Sequence, residues 1–204
     1  MCSLTKLIAI FKIRKVMAYS TYTTEAIVCG SRDSNTSDRS YLLFTERAGM
    51  LWASARSVRT EKSKQRYALV DFSVIRVSLV RGKSAWRIGC VESLINPFMQ
   101  SDSRQARAFV QLVVRSLRRF LHGEESAPAV FVDAKAALQL ATKEQDFEEL
   151  GNIYTLRLLE KLGYVNQKPS FAPLLTGDLE TLLEESVSAE GLKAIDIAYR
   201  ASHL

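Results

Sequence analysis

The stretch RSVRTEKSKQR, residues 56–66, sets five cations, Arg56, Arg59, Lys62, Lys64 and Arg66, against a single acid, Glu61. Positive groups at this density, on a polar segment between two β-rich runs, suit a polyanion backbone whose condensed counterions they can release. A solvated surface loop has the same composition, so both readings stand at this point. Tyr41, Phe44, Trp52, Tyr67 and Trp86 fall in or beside the same runs, where stacking platforms would sit, although most of them are accounted for more simply as barrel core.

Catalytic chemistry is harder to assemble. The chain has no G-x-S-x-G, no phosphate-binding P-loop and no G-x-G-x-x-G. His122 falls at an expected helix end, which favours a solvated or capping role. Asp146, Glu148 and Glu149 could be read as a metal-binding set for a Mg²⁺-dependent nuclease, but acids at a helix start also suit the positive end of the helix dipole. Cys2, Cys29 and Cys90 are scattered, with no C-x-x-C pair and only His122 and His203 to complete a metal site, so neither a zinc module nor a disulfide framework is expected. No catalytic residue, metal or cofactor is assigned, and a reducing cytoplasm fits the cysteine usage.

The net charge of +6 is unevenly distributed. Residues 1–21 carry four basic and no acidic side chains, residues 22–95 twelve and seven, and residues 96–204 twelve and fifteen. A basic module followed by a mildly acidic one suggests that the first meets a polyanion and the second does something else. No window approaches eighteen apolar residues, and Lys6, Lys12, Arg14 and Lys15 interrupt the N-terminal apolar run, so no membrane span or secretory signal is expected. Residues 1–21 read as a basic extension, with Met17 leaving open a later start.

The elements that would position these residues follow from the periodicity. Residues 22–95 consist of short alternating runs separated by turns: the Ser/Asn/Asp cluster 31–37, Ala48-Gly49, and Arg81-Gly82-Lys83. About five consecutive strands in that space predict a small closed or partly open barrel. From Ser101 or Ser103 to His122-Gly123 the period becomes helical, with Phe109, Val113, Leu117 and Phe120 on one face and Arg104, Arg107, Arg115, Arg118 and Arg119 on the other. That stripe could extend a nucleic-acid surface, receive an acidic peptide, or be solvated. Further helices are expected at 128–141, 146–162, 178–185 and 188–201, with a loop at 166–178. The fold class is therefore α+β, a barrel over 22–95 and an all-helical part over 96–204.

At this point the chain resembles a known family. The run from Thr23 to Ser93, with its opening strand Glu25 to Val28, its acid-bearing turn Asp33 to Asp38, LFTERAG at Leu43 to Gly49, and a small-residue strand leading into a basic loop at Ala53 to Ser63, is similar to the OB-fold domain of RecO, the bacterial recombination mediator. FEELGNIYTLRLLEKLGYV, residues 147–165, resembles the FELRLLxxLGY helix of the same family. The resemblance runs in order from Thr23 to Val165. Many members carry a four-cysteine zinc site after that helix; NQKPSFAPLLTG follows it here, so zinc is not implied.

The resemblance implies a non-enzymatic, cytoplasmic, nucleoid-associated DNA-binding protein of recombinational repair. Such a protein binds single- and double-stranded DNA, anneals strands, binds the acidic C-terminal tail of single-stranded-DNA-binding protein, and acts with RecR to load RecA. It implies backbone contacts from Arg56, Arg59, Lys62, Lys64 and Arg66, flanked by Arg32, Arg39 and Lys83. The tail of the partner would need an apolar groove with cations, expected around Arg115, Arg118 and Arg119. A different reading, an OB module for RNA or another polyanion, shares the basic barrel and lacks any reason to bind the tail.

Overall fold

The computed structural model describes residues 21–34, 36–82, 85–143 and 145–202. The expected N-terminal extension, apart from Thr21, and the candidate Lys83 lie outside the described residues. Five strands, β1 (Thr21–Asp33), β2 (Arg39–Thr45), β3 (Gly49–Ala55), β4 (Val74–Arg81) and β5 (Trp86–Ile95), close a barrel in the order β1-β2-β3-β5-β4. All neighbours are antiparallel except β3 and β5, which run parallel over a short pairing. This topology, with the short helix α1 (Gln65–Ala68) between β3 and β4, is the OB fold.

Strand alternation fills the barrel. Ala26 and Val28, Tyr41 and Leu43, Leu51 and Ala53, and Ile75, Val77 and Leu79 point inward and pack together. The alternate residues Ile27, Cys29, Phe44, Met50 and Val74 are also buried, but in a second cluster shared with the helices. β1 therefore reads as the continuous apolar run AIVC, because both of its faces are covered. A bulge allows this: Val28 pairs with Leu43 and Gly30 with Leu42, leaving Cys29 as the extra residue.

The helical layer comprises α2 (Pro97–Gln100), α3 (Arg104–Phe120), α4 (Pro128–Leu140), α5 (Phe147–Lys161) and α6 (Ala189–Ala201). Ser103 caps α3 by accepting from the Ala106 N–H, and Asp146 caps α5 by accepting from the Glu148 and Glu149 N–H groups. Phe109, Val113, Leu117 and Phe120 are buried, as their spacing predicts. The helix expected at 178–185 is instead a 3-10 turn, Leu179–Leu182, and the expected loop contains another, Ala172–Leu175.

Side-chain chemistry fixes the stretch that joins the two turns. Arg157, almost fully buried on α5, makes a bidentate contact with Asp133 of α4 at 2.8 and 3.0 Å and donates to the carbonyls of Leu174, Thr176 and Gly177. Those carbonyls are committed to a side chain, so the segment is pinned across α4 and α5 rather than wound on its own axis. Lys161 adds a second cation at Asp133.

Barrel and helices are joined at two further places. Glu25 of β1 pairs with Lys135 of α4. Gly49 at the β2–β3 turn has φ +64°, and a Cβ there would lie 2.2 Å from the Glu125 carbonyl oxygen in the α3–α4 loop. Met50 N–H donates to the Gly123 carbonyl beside it at 2.9 Å. No helix among the described residues is long and apolar enough to cross a membrane.

Three outcomes test this packing. Asp133→Ala leaves Arg157 buried without its counter-charge and should destabilise the protein by about 3–5 kcal/mol in urea unfolding. Burial pushes the Cys29 thiol from 9.0 up to about 12. It therefore stays protonated when folded while an unfolded thiol ionises from about pH 9, so its contribution to stability falls as pH climbs from about 9 toward about 12. At pH 8 iodoacetamide should modify the exposed Cys90 in the native protein and reach Cys29 only in denaturant, as read by peptide mass mapping.

Candidate nucleic-acid interface

The basic segment 56–66 leaves β3, crosses one end of the barrel and returns through α1. It is built rather than loose. Ser57, at φ 52°, donates its N–H to Asp38 Oδ1 at 2.8 Å, and the Arg59 N–H donates to the Ser37 carbonyl at 3.1 Å, so the β1–β2 turn holds the start of the loop. Val58 is buried under the barrel end, and the Gln65 side chain donates to the Gly89 carbonyl of β5. The cations between these anchors project from a fixed base.

Their surroundings differ. Arg59 and Arg39 both pair with Asp33, at 3.4 and 2.8 Å, and Asp33 holds the Arg39 guanidinium above its ordinary pKa through that hydrogen bond. Arg66 lies over the Tyr67 ring at 4.6 Å and donates to its hydroxyl at 2.6 Å. Arg56, Lys62 and Lys64 are exposed, with no carboxylate within ion-pair distance among the described residues.

The outer barrel face continues this charge. Arg32 reaches across β2 to place its guanidinium 4.1 Å from the centre of the Trp52 ring. Arg87 of β5, paired in register with Ser54, is exposed on the same side. Arg81 and Trp86 occupy the β4–β5 end, but Glu124 of the α3–α4 loop pairs with Arg81 at 3.4 Å and accepts from the indole N–H of Trp86 at 2.9 Å. Neither Arg81 nor Arg87 stands out in sequence; strand alternation at Ser54 and Arg87 was the available signal. Of the five aromatics, Tyr41 and Phe44 are core, whereas Tyr67 and Trp52 are exposed.

The arginine stripe of α3 is divided by its neighbours. Arg107 donates to the Ser101 carbonyl, and Arg118 turns toward Gly30 of β1. Arg119 is held under α6, donating to the Tyr199 carbonyl at 2.7 Å and to Ser202 Oγ at 2.8 Å. Arg115 and Arg118 are both exposed, but of the two it is Arg115 that stands at the rim of a groove of about 430 Å³ between α3 and α6, lined also by Ala108, Leu112, Ser116, Arg119 and Tyr199. The groove joins an apolar floor to two guanidinium groups.

The acids at the α5 start are structural in their contacts. Asp146 caps the helix and Glu149 accepts the Val187 N–H at 3.2 Å. Among the described residues no group of three or more His, Cys, Asp or Glu side chains could hold a metal ion.

Residues 17–98 match the family described as Recombination protein O N terminal. Three curated relatives extend the likeness into the helices. A DNA repair protein RecO of Clostridium novyi (strain NT) is 29% identical over 151 residues, 71% of this chain and 57% of the relative. Those of Syntrophobacter fumaroxidans and Dehalococcoides mccartyi are 24% and 27% identical, each over 70% of this chain and 57% and 56% of the relative. The chain thus spans little more than half the length of the curated relatives it matches. An OB barrel thus stands where the RecO N-terminal family matches and a helical layer where the likeness to the relatives continues, so in both parts the chain is similar to RecO proteins.

Proposed function

We propose that this chain is a DNA-binding protein of recombinational repair that does no covalent chemistry. It binds single- and double-stranded DNA along the basic end of its barrel, anneals complementary strands, and helps load RecA onto DNA covered by single-stranded-DNA-binding protein. The observation that carries the reading is the anchored loop 56–66 on the end of an OB barrel, in which Arg56, Lys62 and Lys64 are exposed and form no ion pair with a carboxylate of the described residues. The curated relatives bear the name DNA repair protein, which fits the same role.

In this reading Arg56, Arg59, Lys62, Lys64 and Arg66 contact phosphates, and Arg32 and Arg39 extend the contact along β1 and β2. Lys83 remains a flanking candidate by sequence. The barrel, 22–95, carries the nucleic acid and the helical part, 96–204, the protein partners. The groove at Arg115 and Arg119 takes the acidic tail of single-stranded-DNA-binding protein, its apolar end against Leu112 and Tyr199 and its carboxylates on the guanidinium groups. RecR is a further partner by family resemblance, and the site of action is the bacterial cytoplasm.

The test is fluorescence anisotropy with labelled oligonucleotides over a salt series. Replacing Lys62, Lys64 and Arg66 together by Ala should weaken binding to all sequences alike and make the log K against log salt slope shallower by about 2. An unchanged slope moves the contact elsewhere. RNA binding as tight as DNA binding would favour the general polyanion module instead. Arg115→Glu should weaken binding of a peptide ending in the acidic tail by about tenfold while leaving DNA binding intact. Arg119 is the poorer probe, because it also ties α3 to α6.

A further inference from the structure

Trp52 is 38% exposed at the middle of β3, a large ring left partly open on the outer face of the barrel. Its strand neighbours explain why the ring stays open. Directly across β2 lies Leu42, which leans into the helical core, while the diagonal and following outer positions are Ser40 and Ser54. Beyond Leu42 is Gly30 of β1. Apart from Leu42 these neighbours are small, and the Arg32 guanidinium lies on the ring at 4.1 Å.

The charge around the ring is positive. Arg32 covers it, Arg87 flanks Ser54, and the Arg118 guanidinium lies over the open side of Gly30. No carboxylate pairs with Arg32, Arg87 or Arg118 among the described residues. Trp86 makes the contrast, because Glu124 takes both its indole N–H and the neighbouring Arg81. Trp52 also lies on the strand that runs directly into the basic loop, four residues before Arg56, about 13 Å at strand rise.

Resting on the nucleic-acid reading above, we infer that Trp52 is the base-stacking site of this barrel and sets its preference for single strands. An unpaired base enters between the Trp52 ring and the Arg32 guanidinium, both planar partners for a base, while its phosphates follow the cations toward Arg56. A base held inside a duplex cannot reach the ring without unstacking, so the site discriminates by strandedness and not by sequence.

The experiment uses a thymine 20-mer and a blunt duplex of equal length. Trp52→Ala should weaken single-strand binding by about fivefold to a hundredfold and leave duplex binding within about twofold, with the salt slope unchanged and Trp52→Phe retaining most of the affinity. In a Trp86→Phe background, where Trp52 is the sole tryptophan, the thymine strand should quench the emission and the duplex should not. Equal losses on both ligands, or no loss and no quenching, overturn the stacking site while leaving the phosphate track standing. If the unmodified protein binds neither oligonucleotide, the nucleic-acid reading itself falls, and the stacking site with it.

Discussion

Burial of β1 and β2 on both faces is the constraint on which the arrangement depends. Ala26, Val28, Tyr41 and Leu43 fill the barrel, while Ile27, Cys29 and Phe44 are the floor on which α3, α4 and α5 pack. A strand with one apolar face would leave the helices only side-chain tips to grip; here the outer face is as apolar as the inner one. The bulge at Cys29 lets the alternation pass from a doubly buried stretch to an end where Arg32 and Asp33 face outward. The same strand thus joins the helical layer at one end and presents charge at the other.

This constraint decides where a ligand can lie. The outer faces of β1 and β2 near Ile27 and Phe44 are occupied, and the β2–β3 turn is closed by the α3–α4 loop at Gly49 and Met50. What remains open is the far end of β1, β2 and β3, the basic loop, and the outer edge of β5. The acids then divide the cations. Asp33 engages Arg39 and Arg59, Glu92 engages Arg76, Glu124 engages Arg81, and Glu25 engages Lys135. Sequence counting gives every arginine the same weight, but these ion pairs leave Arg56, Lys62, Lys64 and Arg87 to face an incoming anion.

The readable parts of the fold were those set by local chemistry. Ala48-Gly49 makes a hairpin because Gly49 tolerates a positive φ, and Ser103 and Asp146 start helices by accepting orphan N–H groups. The barrel was legible from five alternating runs. What failed to show was set by partners distant in sequence. A helical wheel put Arg107, Arg115, Arg118 and Arg119 on one solvent stripe, but a wheel knows nothing of Gly30 or Tyr199, which draw Arg118 and Arg119 apart by more than their angular spacing suggests. The course of the chain from the 3-10 turn 172–175 to Gly177 is tied to a buried Arg157, whose partners lie as far apart in sequence as Asp133 and Gly177. Trp52 could be named among five aromatics but not singled out, since whether a strand aromatic faces in or out depends on register and on what covers the outer face.

The division of the arginine stripe has a functional consequence beyond bookkeeping of charge. Arg119 joins α3 to α6 through the Tyr199 carbonyl and Ser202, and its guanidinium lies 4.9 Å from the Tyr199 ring, while Ser116 and the Tyr199 hydroxyl share a hydrogen bond at 2.8 Å. The groove beside Arg115 therefore exists only when α6 is docked, because Tyr199 supplies one wall. Arg118, one residue earlier, faces the barrel. Adjacent arginines on one helix thus lie on different surfaces, the α3–α6 groove and the outer barrel face, and α3 fixes the spacing between them. An anionic chain on the barrel and an acidic peptide in the groove would not compete for the same cation, so the two can be held at once.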